Sequence, residues 1–110
     1  MAENIKLLVY PAKNVNASKA LFNTFLGVEP YVDSEYYVGY KIDNLEIGLD
    51  PHGQAIIAYT DVPDIKASLQ ALVDSGASIY QEAKEVGGGL LIAQVKDANG
   101  NVVGLRQETG

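Results

Sequence analysis

Residues 61–76 read DVPDIKASLQALVDSG, and residues 14–27 read NVNASKALFNTFLG. Each is a short amphipathic helix with its own punctuation. In 14–27, Ala17, Leu21 and Phe25 recur at helical spacing, with Phe22 and Leu26 beside them. Asn14 or Asn16 can cap its start, and Gly27 suits the left-handed position just past its end. In 61–76, Pro63 falls in the first turn and Gly76 follows the end. A shift of 47 positions lays one helix on the other: Asn14 on Asp61, Val15 on Val62, Lys19 on Lys66, Ala20 on Ala67, Phe22 on Leu69 and Phe25 on Leu72. Tyr31 and Tyr80 correspond after two extra residues.

The flanks of the two helices match as well. Ile5–Tyr10 (IKLLVY) is an apolar run of strand formers before the first helix, and Ala55–Thr60 (AIIAYT) precedes the second. Strands are expected after the first helix at Val28–Val32, Tyr36–Ile42 and Leu45–Leu49, the last two joined by an Asp43-Asn44 turn. After the second they are expected at Ala77–Glu82, Leu90–Val95 and Val102–Gln107. The last is fed by Asn99-Gly100, read as a two-residue hairpin turn whose central positions both take φ > 0. The order βαβββ therefore occurs twice, over about 5–50 and 55–107, within one domain of 110 residues. Gly104 stands mid-strand, where a glycine marks a bulge or a close approach.

Composition narrows the function classes. The net charge is −6, and the eight basic residues are scattered singly, which leaves no cluster for a phosphate backbone. No apolar run approaches the ~20 residues of a membrane span. MAENIKLL lacks a basic stretch followed by an apolar one, so no signal peptide is expected and the cytoplasm is the expected location. Without Cys, thiolate metal sites and Cys nucleophiles are excluded.

The two βαβββ units, the "LG" that closes the first helix and the closing stretch DANGNVVGLRQ together resemble the vicinal oxygen chelate superfamily. That superfamily includes glyoxalase I, bleomycin resistance proteins and extradiol dioxygenases. The resemblance covers roughly Ile5 to Gln107 and implies an α+β fold. In that fold two tandem βαβββ units form a curved mixed sheet with helices on the outer face, around a ligand cleft. Metal-dependent members carry a ligand on the first and last strands of each unit, positions that fall here on Leu7, Glu46, Ile56 and Gly104. Of these only Glu46 has ligand chemistry, whereas a catalytic zinc site needs three protein ligands. No metal and no other cofactor is therefore expected, and metal-dependent lyase, epimerase or dioxygenase activity is not expected either.

If the resemblance holds, alternation brings Ile5, Val9, Gly48, Ala58, Thr60, Val102 and Arg106 onto the same inward face. Such a lining of apolar and small residues with a few polar groups suits a ligand pocket, and an ordinary core equally. Glu46 is the candidate catalytic residue, as a general base or as the partner of a ligand amine; Arg106 can hold a carboxylate. Both can instead form rim ion pairs worth about 0–1 kcal/mol. Seven Tyr against two Phe is a skew, and Tyr37 and Tyr40 join the expected ligand-binding set, as Tyr suits aromatic ligands and subunit seams. His52, the single histidine, sits in a DPHG turn. The GGG at 87–89 is a cleft-side lid or a plain loop.

The expected function is metal-free binding of an apolar or cationic small molecule, in the manner of the bleomycin resistance branch, by a homodimer. The alternative is a metal-independent lyase or isomerase that uses Glu46 for proton transfer. An interaction module without a ligand is the third possibility.

Overall fold

The computed structural model describes residues 5–108. Met1–Asn4, where the leader reading begins, lie outside them. Residues 6–57 form one compact unit; residues 58–108 belong to the other. Each is a four-stranded mixed sheet with one helix packed on one face, so the expected α+β fold with tandem βαβββ units is present.

The first unit runs β1 (Ile5–Pro11), α1 (Val15–Leu26), β2 (Val32–Asp33), β3 (Val38–Ile42) and β4 (Leu45–Asp50). Its strands lie in the order β2-β3-β4-β1, with the β4–β1 pair parallel and the others antiparallel. The second unit runs β5 (Ile57–Asp61), α2 (Ile65–Asp74), β6 (Ser78–Glu85), β7 (Leu90–Lys96) and β8 (Val102–Glu108). Its strands lie in the order β5-β8-β7-β6, with β5–β8 parallel and the rest antiparallel.

Helix α1 is capped by the Asn14 side chain, which accepts from the Ala17 amide, and it ends on Gly27 at φ 73. The cap of α2 is Asp64, which accepts from the Ala67 amide, so the helix begins after Pro63 rather than around it. Equivalent caps are thus 50 residues apart (64 − 14), not 47. On this spacing Ile57 answers Leu7, Tyr59 answers Val9 and Asp61 answers Pro11. The 47-residue shift was produced by apolar periodicity, which any two amphipathic helices share.

Alternation separates the two faces of each sheet. In the first unit Val38, Tyr40, Ile47 and Leu49 are buried and packed with Val15, Phe22 and Leu26 of α1. Each such fully buried apolar side chain contributes about 1.5–3 kcal/mol. Of the apolar residues at helical spacing in α1, Leu21 and Phe25 are 63% and 75% exposed, and the neighbouring row of Phe22 and Leu26 faces the sheet. In the second unit Val62, Ile65, Leu69, Ala93, Val95 and Leu105 form the core under α2.

The turns differ in one respect from expectation. Asp97 to Asn101 form a longer loop between β7 and β8, in which the Asp97 carboxylate accepts from the amides of Asn99 and Asn101 and from the Asn101 side chain. Gly100 takes φ 84, while Asn99 stays at negative φ. A two-residue turn has no room for this carboxylate-centred loop. The three glycines 87–89 all have positive φ in the β6–β7 turn, closed by the Leu90 amide donating to the Gly87 carbonyl at 3.1 Å.

Candidate functional site

On the face of the first sheet opposite α1, the register places Leu7 beside Glu46 and Val9 beside Gly48. Across the β3–β4 ladder, Lys41 faces Glu46 and Gly39 faces Gly48. Four of the expected site residues, Leu7, Val9, Glu46 and Gly48, therefore share a face, as alternation requires. Leu7 is buried and Glu46 half-buried. Tyr37, one residue before β3, joins that face and packs against Gly48 so closely that a Cβ there would collide with its hydroxyl.

The polar centre of this face is Glu46. The Tyr31 hydroxyl donates to its Oε1 at 2.6 Å, and the Lys41 ammonium stands 4.6 Å from the centre of the Tyr31 ring. A carboxylate has two acceptor oxygens and can take more than one donor. The arrangement can hold a cation or a hydroxyl-bearing group against an aromatic wall. Tyr31 and Lys41 were absent from the sequence-derived set. Lys41 could have been found from the turn at Asp43-Asn44, which fixes its pairing with Glu46.

Three expected residues lie elsewhere. Tyr40 points to the opposite face, fully buried under α1, where its hydroxyl donates to Asn23 Oδ1 at 2.6 Å. Burial pushes the Tyr40 phenol above its usual pKa. Ile56 precedes β5 and is 56% exposed. Ala58 pairs with Val103, one residue out of step with Gly104. In the β5–β8 ladder it is Tyr59 that stands beside Gly104, so by alternation Ile57 and Tyr59 share the Gly104 face rather than Ile56 and Ala58.

Tyr59 takes the place beside Gly104. Its ring lies where a Cβ on residue 104 would be, and its hydroxyl accepts from Gln94 Nε2 at 2.7 Å. Gly104 is therefore a close approach, required by an aromatic side chain on the adjacent strand. Arg106, on the same face, donates from Nε to Asp61 Oδ1 at 2.8 Å, with its side chain 16% exposed. His52 lies in the turn after β4, its backbone amide bonded to the Asp50 carboxylate.

The residues present do not fit the metal centre of the fold's metal-dependent members. Leu7 and Gly104 offer no donor, and Ile57 and Val102, which answer Leu7 and Glu46 by the cap spacing and ladder register, offer none either. Among the described residues, no three His, Cys, Asp or Glu side chains gather into a cation site. Two open grooves lie on the helix sides instead. One of about 320 Å³ borders Val15, Lys19, Asp33 and Glu35, where Lys19 pairs with Asp33 at 2.9 Å. Another of about 390 Å³ borders Lys66, Gln70, Ile79 and Glu82. Among the described residues, no helix is long and apolar enough to cross a membrane.

No family model and no curated protein sequence matches this chain. Solved structures do. A glyoxalase/bleomycin resistance protein/dioxygenase superfamily member from Vibrio splendidus 12B01 is similar with a TM-score of 0.72 at 22% identity, over 94% of this chain and 97% of that one. An NAD-dependent benzaldehyde dehydrogenase from Legionella pneumophila has a TM-score of 0.74 at 16% identity, over 94% and 98%. Methylmalonyl-CoA epimerase from Mycobacterium tuberculosis has a TM-score of 0.67 at 12% identity, over 99% and 90%. This chain shares its fold with that glyoxalase/bleomycin resistance protein/dioxygenase superfamily member and with that epimerase, as the repeated βαβββ order implied. Proteins of such different descriptions share it, so the fold alone selects no activity.

Proposed function

We propose that this protein binds a small organic molecule, without a metal, at the Glu46–Tyr31 corner of the first sheet. The observation that carries the reading is the 2.6 Å hydrogen bond from the Tyr31 hydroxyl to the half-buried Glu46 carboxylate, beside buried Leu7. This is one fixed acceptor group against an apolar and aromatic lining, the usual make-up of a small-ligand site. An anionic acceptor next to aromatic surface favours an apolar compound with a cationic or hydroxyl-bearing end. Sequestration of such a compound by a homodimer is part of the proposal, as the neutral, exposed Leu21 and Phe25 of α1 support self-association; light scattering reads its mass.

The test is a thermal-shift screen with apolar, cationic and neutral compounds on the wild type and Glu46→Gln. A saturable shift for a cationic compound, lost in the variant while the compound is recovered unchanged, supports binding at this corner. A compound that binds both proteins equally contradicts it. The same hydrogen bond also supports the second reading, since a carboxylate and a phenol in contact can relay a proton. Turnover of a compound by the wild type, abolished by Glu46→Gln with binding kept, would select that reading.

A further inference from the structure

The loop between β7 and β8 carries a reactive pair that the Glu46 corner does not involve. Asn99 is the chain's only asparagine followed by glycine; the others precede Ile5, Val15, Ala17, Thr24, Leu45 and Val102. A side chain on the following residue crowds its own amide nitrogen and stiffens the backbone around it. Glycine does neither, so the Gly100 nitrogen can turn toward the carboxamide carbon of Asn99. The two groups are neighbours in one chain, so ring closure between them needs no collision of separate molecules.

The loop leaves one of the two groups free and restrains the other. Asn99 is exposed, and among the described residues its side-chain amide makes no hydrogen bond. A Cβ on Gly100 would meet no atom within 4 Å, so nothing blocks the ring sterically. The Gly100 amide, by contrast, donates to the Asp97 carbonyl at 3.1 Å. The Asp97 carboxylate holds that turn in place. It accepts from the Asn99 amide at 2.9 Å, from the Asn101 amide at 2.8 Å and from the Asn101 side chain at 3.0 Å. The Asp97 amide donating to the Asn101 carbonyl at 3.0 Å closes the loop. To attack, the Gly100 nitrogen must leave the Asp97 carbonyl and give up its proton. Both require the loop to open.

We propose that Asn99 is a site of spontaneous deamidation and that Asp97 gates it by holding the loop closed. The Gly100 nitrogen loses its proton to solvent and bonds to Asn99 Cγ, the bond from Cγ to Nδ2 breaks, and ammonia leaves with a proton taken from solvent. Water then opens the cyclic imide. Attack at Cγ gives aspartate, and attack at the backbone carbonyl carbon gives isoaspartate, in which the chain runs through the former side chain. Either product adds a negative charge two residues from Asp97, in a chain whose net charge is already −6. Isoaspartate also lengthens the loop between Lys96 and Val102, which are partners across β7 and β8. When opening and closing are fast, the rate is that of the open loop multiplied by the fraction of molecules in which it is open.

The experiment incubates the full chain in neutral buffer, folded and in urea, as the wild type, Asp97→Ala, Asp97→Asn and Asn101→Ala, each checked for a cooperative melt. Peptide mapping by mass spectrometry follows the change from amide to acid at every asparagine and separates aspartate from isoaspartate. Asn99 is expected to react first, and about tenfold more slowly in the folded wild type than in urea, the factor that loop hydrogen bonds of ordinary strength impose. Asp97→Ala should remove most of that difference while matching the wild type in urea. Asp97→Asn keeps an oxygen for the two amides and should keep most of the protection. Asn101→Ala takes away one of the three bonds to the carboxylate and should react about threefold faster than the folded wild type; it decides the matter if Asp97→Ala does not melt cooperatively. Equal rates for the wild type folded and in urea overturn the gate, as does an acceleration by Asp97→Ala that persists in urea. Earlier reaction at any other asparagine overturns the site.

Discussion

Both units place a tyrosine ring on a glycine of the strand that ends the unit, and they do so differently. In the second, Tyr59 sits within β5, is 5% exposed and is tied through its hydroxyl to Gln94. In the first, Tyr37 precedes β3 and is half-buried, and the position two residues from its glycine is Glu46 rather than Val102. One arrangement is a core contact, and the other borders a polar group. The duplicated plan has therefore kept its packing device in both units, with a carboxylate two residues before the glycine only in the first. The comparison also shows why Gly104 is not an empty place: the ring of Tyr59 on the adjacent strand fills it.

The contrast can be broken by substitution. Gly104→Ala is expected to have the largest effect, about 1–3 kcal/mol of destabilisation in urea unfolding, because the added Cβ meets the ring of buried Tyr59. Gly48→Ala should cost less, since Tyr37 is half-buried where Tyr59 is buried; equal losses at the two glycines would remove the distinction between the two rings. Tyr59→Phe leaves the Gln94 amide without that acceptor and should cost about 1 kcal/mol, a difference readable in the same titration. Phe25→Ala, on the exposed face of α1, should stay within about 0.5 kcal/mol in the monomer.

Two pH effects sharpen the account of the surroundings. Burial raises the folded pKa of Tyr40, so its contribution is fully present below the usual phenol value near 10 and is lost as pH rises through the higher folded value. The wild type should lose more stability than Tyr40→Phe in alkaline unfolding curves above that value. Hydrogen bonds from the Asn101 side chain and from the loop amides lower the pKa of Asp97, so its contribution is present above the usual carboxylate value and fades as pH falls through the folded one. Asp97→Ala should flatten that small acid-side slope.

Much of this was legible in the sequence. Asn14, Gly27 and Gly76 punctuate the helices, and alternation in IKLLVY and LEIGL put Leu7, Val9, Glu46 and Gly48 on one face. What failed was phase. The resemblance placed a ligand position on Ile56, and alternation added Ala58, whereas the β5–β8 register sets Tyr59 beside Gly104. A period-two strand has no tolerance for such a slip. Tyr40 was misplaced for a different reason: it shares a strand with inward-facing residues, and the core requirement of α1 decided which way it points. Tyr31 lies just before β2, where no strand periodicity reaches it, so only the folded register shows that it meets Glu46.

The most direct measurement is native mass spectrometry of the wild type and Glu46→Gln, each purified from cells without added metal. The account predicts an organic adduct of one compound per chain on the wild type, lost in the variant, and no tightly held divalent ion in either. A stoichiometric divalent ion on the wild type, or an organic adduct equally present on Glu46→Gln, would contradict it.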